Sequence, residues 1–410
     1  MSLDLIDGIK TLHVDMIATT ALAGVLLMLG YFIRSKVSIL ERLCIPAPVI
    51  GGFICAIVVW IFRASNVLKV SMDTTLQVPF MLAFFTCVGF SGSFKLLKKG
   101  GRLLIVFLGS CWVLALVQNV VGVGLAKALG LNPVLGVMAG TVSLVGGHGN
   151  AAAFGPVAEN LGVTGATTVA IASATFGLVI GSLIGGPVGN FLIKKNHIKP
   201  TVQEDTTKIQ DEKEAASKPM TSDAFLSHLT LVFVFMFGGV LLSSWVETLG
   251  IKNFALPNYV GAMFLAIGFR NLNDKYDLFK LDFRITDIIL EIGLGFFLTM
   301  AIMTLKIWEI VSLAGPLLII LVIQLLVLLL FSVFVVFPLL GKNYDGAVMT
   351  GGFTGWGMGI AATAVVCMSA ICEKYDIRSS KAFLIAPLCG AVFVDVVAIP
   401  TIIFFITRFA

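Results

Sequence analysis

Apolar runs of about 20 residues, long enough to cross a hydrocarbon core about 30 Å thick, recur along almost the whole of this chain. They fall at 15–33, 44–62, 76–92, 102–126 and 164–193, and again at 225–246, 255–269, 286–304, 311–340 and 382–408. The runs are continuous rather than alternating, and lipid offers no partner to backbone N–H and C=O groups, so the pattern predicts helices and not barrel strands. A stretch dense in Lys, Glu, Asp, Thr and Ser, 194–223, separates the two sets and reads as a linker that buries too little surface to fold alone. Two further segments, 133–163 and 346–375, are apolar at both ends and glycine-rich in the middle, at Gly146-Gly147-His148-Gly149-Asn150 and Gly355-Trp356-Gly357-Met358-Gly359. Their arms of about a dozen residues are too short to span, so each is expected to enter and leave the membrane on one side as a re-entrant helical hairpin.

A shift of 211 residues aligns separate features of the two halves without a gap. Pro46 falls on Pro257 and Val49 on Val260; Leu129-Gly130-Leu131-Asn132 falls on Leu340-Gly341-Lys342-Asn343; Gly136-Val137-Met138-Ala139-Gly140 falls on Ala347-Val348-Met349-Thr350-Gly351. The expected fold is therefore an all-α polytopic membrane protein of two repeats, 1–193 and 224–410, each with five spans and one hairpin. An odd number of crossings per repeat inverts the second copy, so the hairpins enter from opposite faces with their tips meeting near the midplane. Such a site has two mirror-related access routes, which is what alternating access requires.

Composition agrees with a bilayer as solvent: 58% of residues are hydrophobic, 12% are charged, and mean hydropathy is +1.01. The net charge of +5 lies in loops, where it sets topology rather than recruiting nucleic acid. With the N-terminus outside, 21 of the 28 Lys and Arg lie inside, so both termini are expected to be extracytoplasmic and the linker cytoplasmic. The first 15 residues lack the basic n-region and cleavage site of a signal peptide, so no cleaved targeting segment is expected. The seven cysteines lie in apolar stretches without metal-ligand spacing, and neither a disulfide framework, a resident metal nor a cofactor is expected.

Irregular backbone at membrane depth costs several kcal/mol per unsatisfied group unless it lines a polar cavity, so the tips are the expected site. At each tip one arm ends in helix carbonyls, which suit cations, and the returning arm begins with N–H groups, which suit carboxylates. Glycine permits φ > 0 there and close approach of substrate to backbone. Ser143, Gly146, Gly147, His148, Gly149 and Asn150 in the first hairpin, with Thr354, Gly355, Gly357, Gly359 and Thr363 in the second, are the expected substrate groups, and Thr350 adds a polar group near the second tip. A neutral His148 can donate and accept at once, or support a neighbouring carbonyl. Asp395 lies deep in the last span, where a carboxylate costs about 2.5 kcal/mol or more, so it needs a sodium ion or a hydrogen-bond donor. Gly181, Gly185, Gly186 and Gly189 read as helix-packing glycines, and Gln118 and Asn119 as interhelical or cavity-lining amides.

The stretches Gly146-Gly147-His148-Gly149, Ser173-Ala174-Thr175-Phe176-Gly177-Leu178, Tyr344-Asp345 and Phe393-Val394-Asp395 resemble the bacterial sodium/glutamate symporter family, and the resemblance covers the whole chain. It implies inward, sodium-driven uptake of L-glutamate, a multi-pass protein of the bacterial inner membrane, a homodimer, and a mobile domain carrying the hairpins against a static scaffold. Ser173 and Thr175, within the matching stretch of the fifth span, join Asp395 as expected sodium ligands. The second hairpin departs from the family pattern: Phe353 follows Gly352 where a histidine is usual, Ala361-Ala362-Thr363-Ala364 lacks a proline, and Cys367 replaces an asparagine. Another dicarboxylate or amino acid therefore stands as the alternative substrate.

No Walker A sequence is present and no soluble segment is large enough for a nucleotide-binding domain, which leaves ion coupling as the energy source. Glutamate carries one net negative charge, so net inward positive charge requires at least two sodium ions per substrate. A channel, with the tips forming a continuous pore, is the rival class. An enzyme is disfavoured by the lack of an intramembrane Asp dyad, a Ser-His pair or an H-E-x-x-H sequence.

Overall fold

A computed structural model of the chain describes residues 2–6, 9–42, 45–65, 67–95, 101–198, 220–248, 256–309, 313–377 and 379–410. Cys44 and positions 199–219 of the expected linker lie outside the described residues. In chain order the main helices are α1 (Met16–Lys36), α2 (Ala47–Ala64), α3 (Gln77–Phe90), α4 (Gly101–Ala128), α5 (Pro133–Val142), α6 (Gly147–Asn160), α7 (Ala166–Lys195), α8 (Ser222–Thr248), α9 (Asn258–Tyr276), α10 (Phe283–Met303), α11 (Ala314–Leu339), α12 (Tyr344–Trp356), α13 (Ala361–Tyr375), α14 (Ser380–Leu388) and α15 (Asp395–Phe409). Seven of them, α1, α2, α4, α7, α8, α10 and α11, are long and apolar enough to cross a membrane, which makes this a polytopic, helical membrane protein.

Three of the expected spans differ from that simple form. The run 76–92 becomes α3, whose 14 residues cover only about 21 Å at 1.5 Å per residue. The run 255–269 becomes α9, which continues to Tyr276 with Arg270, Asp274 and Lys275 in its last turns, where Arg270 pairs with Asp274 at 3.1 Å. The run 382–408 is broken between α14 and α15 by a π-helical turn, Cys389–Phe393. A small sheet was not expected at all: β1 (Ser2–Ile6) pairs antiparallel with β2 (Ile9–Val14), which pairs parallel with β3 (Lys69–Met72).

Helix starts follow from local chemistry. Asp15 caps α1 by accepting from Ala18 N at 2.9 Å. Pro46 and Pro257, with φ −64 and −60, open α2 and α9. Gly130 and Gly341, with φ +70 and +97, turn the chain after α4 and α11. Asn132 and Asn343 then cap α5 and α12 through Val134 N at 2.9 Å and Gly346 N at 2.8 Å. Each of these three pairs is related by the 211-residue shift.

The helices sort into two bodies. In the first, α3 and α10 run antiparallel, with Phe80 stacked on Phe296 at 4.9 Å. The opening helices of each half pack on the third helix of the other: α1 and α2 join α10 around Leu26, Cys55 and Met300, and α8 and α9 join α3 around Phe90, Val232 and Ala266. In the second body, α7 lies along α12 so closely that Gly181, Gly185 and Gly189 face the carbonyls of Gly355, Gly351 and Ala347 with no room for a Cβ, as expected of packing glycines. Around that pair sit α4, α5, α6, α11, α13, α14 and α15.

Candidate functional site

The two glycine-rich tips are in contact. Gly147 has φ +62, and a Cβ there would meet Ile360 Cγ2 and lie 3.7 Å from the carbonyl oxygen of Gly359. Between the tips and the first body lies a cavity of about 240 Å³. One wall is made of Gly146, His148, Gly149 and Asn150 from the first tip; another of Ile360, Ala361 and Ala362 from the second. The broken last span supplies Gly390 and Asp395, while Phe84, Phe85 and Val88 of α3 and Leu294 and Leu298 of α10 form an apolar wall.

The N-termini of α6 and α13 both lie at this cavity, so the first backbone N–H groups of two helices and two positive helix-dipole ends converge on it. Asn150 Nδ2 donates to Asp395 Oδ1 at 3.3 Å, the one donor to that carboxylate among the described side chains. His148 is 4% exposed, and its Nε2 lies 3.0 Å from Thr175 Oγ1. Thr175 spends its hydroxyl proton on Ile171 O at 2.9 Å, so His148 Nε2 is the donor of the pair. In the neutral ring Nδ1 is then an acceptor, and it is buried without a protein partner.

The break in the last span is held open by two indoles. Trp356 Nε1, at the end of α12, donates to Gly390 O at 3.3 Å, and Trp112 Nε1 donates to Phe393 O at 3.1 Å. A Cβ at Gly390 would collide with the Trp356 ring at 2.7 Å. The turn that presents Asp395 is thus fastened directly to the second hairpin.

The remaining expected residues support this wall rather than line it. Ser143 Oγ donates to Ala170 O at 2.7 Å and also contacts Met138 O, bracing the first hairpin on α7. Ser173 and Thr354 donate to their own helices at Val169 O and Thr350 O. Thr363 Oγ1 accepts from Ile360 N at 3.4 Å and caps α13. Gly355 lies against Cys367, Gly359 against Thr363, and Gly357 between Leu114 and Leu328, with its carbonyl accepting from Gln118 Nε2 at 2.9 Å. Glu159 Oε1 accepts from Thr167 N at 3.0 Å and so anchors the loop into α7. The apolar wall residues escape a reading by sequence because Phe and Leu in a membrane helix look the same facing lipid, core or ligand.

The described cysteines are buried and joined in no disulfide. Among the described residues no group of three His, Cys, Asp or Glu is placed to hold a metal ion.

A model of the sodium/glutamate symporter family matches residues 12–377 of this chain. The sodium/glutamate symporter of Escherichia coli (strain K12) is 37% identical over 387 residues, covering 94% of this chain and 96% of that protein. That of Haemophilus influenzae is 37% identical over 385 residues, covering 92% of this chain and 94% of that protein.

Proposed function

This chain belongs to the sodium/glutamate symporter family and carries out sodium-coupled glutamate symport, and from that premise we propose how its parts divide the work. The chain is two inverted repeats, 1–193 and 224–410, whose hairpins enter the bilayer from opposite faces. The matched conformations at Pro46 and Pro257 and at Gly130 and Gly341, with an asparagine cap at both Asn132 and Asn343, support the repeat. The protein sits in the bacterial inner membrane as a homodimer, with both termini outside and the linker in the cytoplasm.

The observation that carries the site is the cavity closed by both tips, Asp395 and the apolar wall. Its volume falls below the ~300–1,000 Å³ typical of pockets for drug-sized ligands and suits a small amino acid. Among the described residues no Lys or Arg lines it, so the two glutamate carboxylates take the N-terminal N–H groups of α6 and α13. His148 Nδ1 accepts from the substrate ammonium. Asp395, with Asn150 beside it, ligates a sodium ion at the cavity edge. Ser143, Thr354, Gly355, Gly357, Gly359 and Thr363 shape the tips, while Ser173 and Thr175 stiffen α7 behind them. The body carrying the hairpins moves against the body of α1, α2, α3, α8, α9 and α10 and exposes the cavity to each side in turn.

At least two sodium ions accompany each glutamate. One net positive charge moving through 100 mV yields about 2.3 kcal/mol, a concentration ratio of more than about fortyfold. Uptake of radiolabelled glutamate, aspartate, 2-oxoglutarate and citrate into proteoliposomes tests the assignment. Glutamate alone should accumulate, only with an inward sodium gradient, and with inward current; electroneutral uptake would overturn the stoichiometry, and preference for citrate or 2-oxoglutarate would overturn the binding scheme.

A further inference from the structure

Behind the tips, on the side away from the cavity, α4 crosses α11 at a pair of buried amides. Gln324 Nε2 donates to the backbone oxygen of Gln118 at 2.8 Å, and Gln118 Nε2 donates to Gly357 O, at the second tip, at 2.9 Å. With both nitrogens fixed on carbonyls, the orientation of each amide is determined, and each Oε1 is left without a protein donor. Both residues are 0% exposed. The first hairpin reaches the same place through Gly140, where the arm leaves helical geometry at φ −110 and ψ −125. A Cβ there would lie 3.0 Å from Gln118 O and 3.3 Å from Gln324 Nε2, so the kinked backbone rests on the amide pair. Asn119, next along α4 and also 0% exposed, has no protein partner for either amide atom.

An amide oxygen buried without a donor is unfavourable, and here two such oxygens belong to the amides on which the kinked hairpin backbone rests. Acceptors without donors complement a cation. With no carboxylate among these residues the charge they can balance is small, which selects a monovalent ion over a divalent one. We propose that Gln118 Oε1 and Gln324 Oε1 form a second sodium site, separate from Asp395 and outside the substrate cavity. The proposal rests on the sodium-coupled reading above. An ion held there ties α4 and α11 to Gly140 of one hairpin and Gly357 of the other. It therefore orders both tips before substrate arrives, without touching substrate.

Sodium titrations of glutamate uptake in proteoliposomes, and of thermal stability of the purified protein in sodium against choline chloride, test this in the wild type, Gln324→Leu and Gln324→Glu. Gln324→Leu should raise half-saturating sodium about tenfold and lower its Hill coefficient toward one, with glutamate KM at saturating sodium unchanged. Gln324→Glu loses the same Nε2 donor yet keeps an oxygen and gains charge, so its half-saturating sodium should stay level or fall. Equal rises in both variants would mean that the hydrogen bond alone matters, and an unshifted titration in Gln324→Leu would equally overturn the site. If Gln324→Leu does not fold, Gln324→Glu decides: stabilisation at the same or lower sodium than wild type supports the site, and a higher requirement overturns it. A wild type indifferent to sodium would instead bring down the symport reading itself.

Discussion

At Gly147 the backbone is left-handed and a side chain has nowhere to go, since its first carbon would meet Ile360 of the opposite tip. Gly147→Ala adds strain of about 1–2 kcal/mol where the two tips meet, and should cut glutamate uptake sharply while the protein still inserts and purifies. The neighbouring histidine gives a finer test. If Thr175 holds His148 in the tautomer that leaves Nδ1 free, Thr175→Val should raise the glutamate KM several-fold with little change in Vmax, and Thr175→Ser should restore it. Asp395→Asn should mainly raise half-saturating sodium, read from uptake against external sodium at fixed glutamate. What could be seen of this site beforehand were the exceptions: a histidine, an asparagine and an aspartate among apolar residues are conspicuous, because each must find a partner. Phe84, Phe85, Leu294 and Leu298 carry no such mark, since the side of a membrane helix that meets substrate is as apolar as the side that meets lipid. Gln324 lies within the most hydrophobic of the seven described candidate spans, where a lone amide is as unusual as Asp395.

Among elements, the hairpins were legible because their arms are too short to span and their centres too rich in glycine to continue a helix. The break in the last span was not. Pro387, Gly390 and Pro400 punctuate it, but similar residues, Pro187 and Gly189, sit inside the unbroken α7. What decides between the two is remote: the last span accepts the indole hydrogen bonds of Trp112 and Trp356. The caps are local, and one is testable by pH. Asp282 caps α10 by accepting from Arg284 N at 3.0 Å, and the Arg284 side chain hydrogen-bonded to it holds its carboxyl below the usual range. A depressed folded-state value means that this contribution is present above the unfolded value of about 3.9 and disappears as pH falls through the folded one. Asp282→Ala should therefore be less stable by about 1 kcal/mol at pH 7, and the gap in melting temperature should close below about pH 4.

For the whole molecule, the division into two bodies was foreseen only through the family resemblance, because no sequence period distinguishes a helix of one body from a helix of the other. The contacts make it visible. Phe94, just past α3, meets Phe393 of the last span with ring centroids 6.1 Å apart, a contact between the bodies. Cysteines at both positions, in a background with the seven native cysteines replaced, should be joined by a short bifunctional thiol reagent. The joined protein should keep its fold and lose net uptake, and cleavage of the link should restore transport. Undiminished uptake after complete joining would mean that the two bodies do not shift along this seam.

The exchange of partners within the first body also bears on biogenesis. While the polypeptide is being made, α1 and α2 enter the lipid with their proper neighbour, α10, still more than two hundred residues from synthesis. The amino-terminal half is then obliged to wait, and contacts so distant along the chain form slowly. Two fragments cut within 199–219 should accordingly yield an active transporter when produced together in one cell, and neither should survive proteolysis when produced alone.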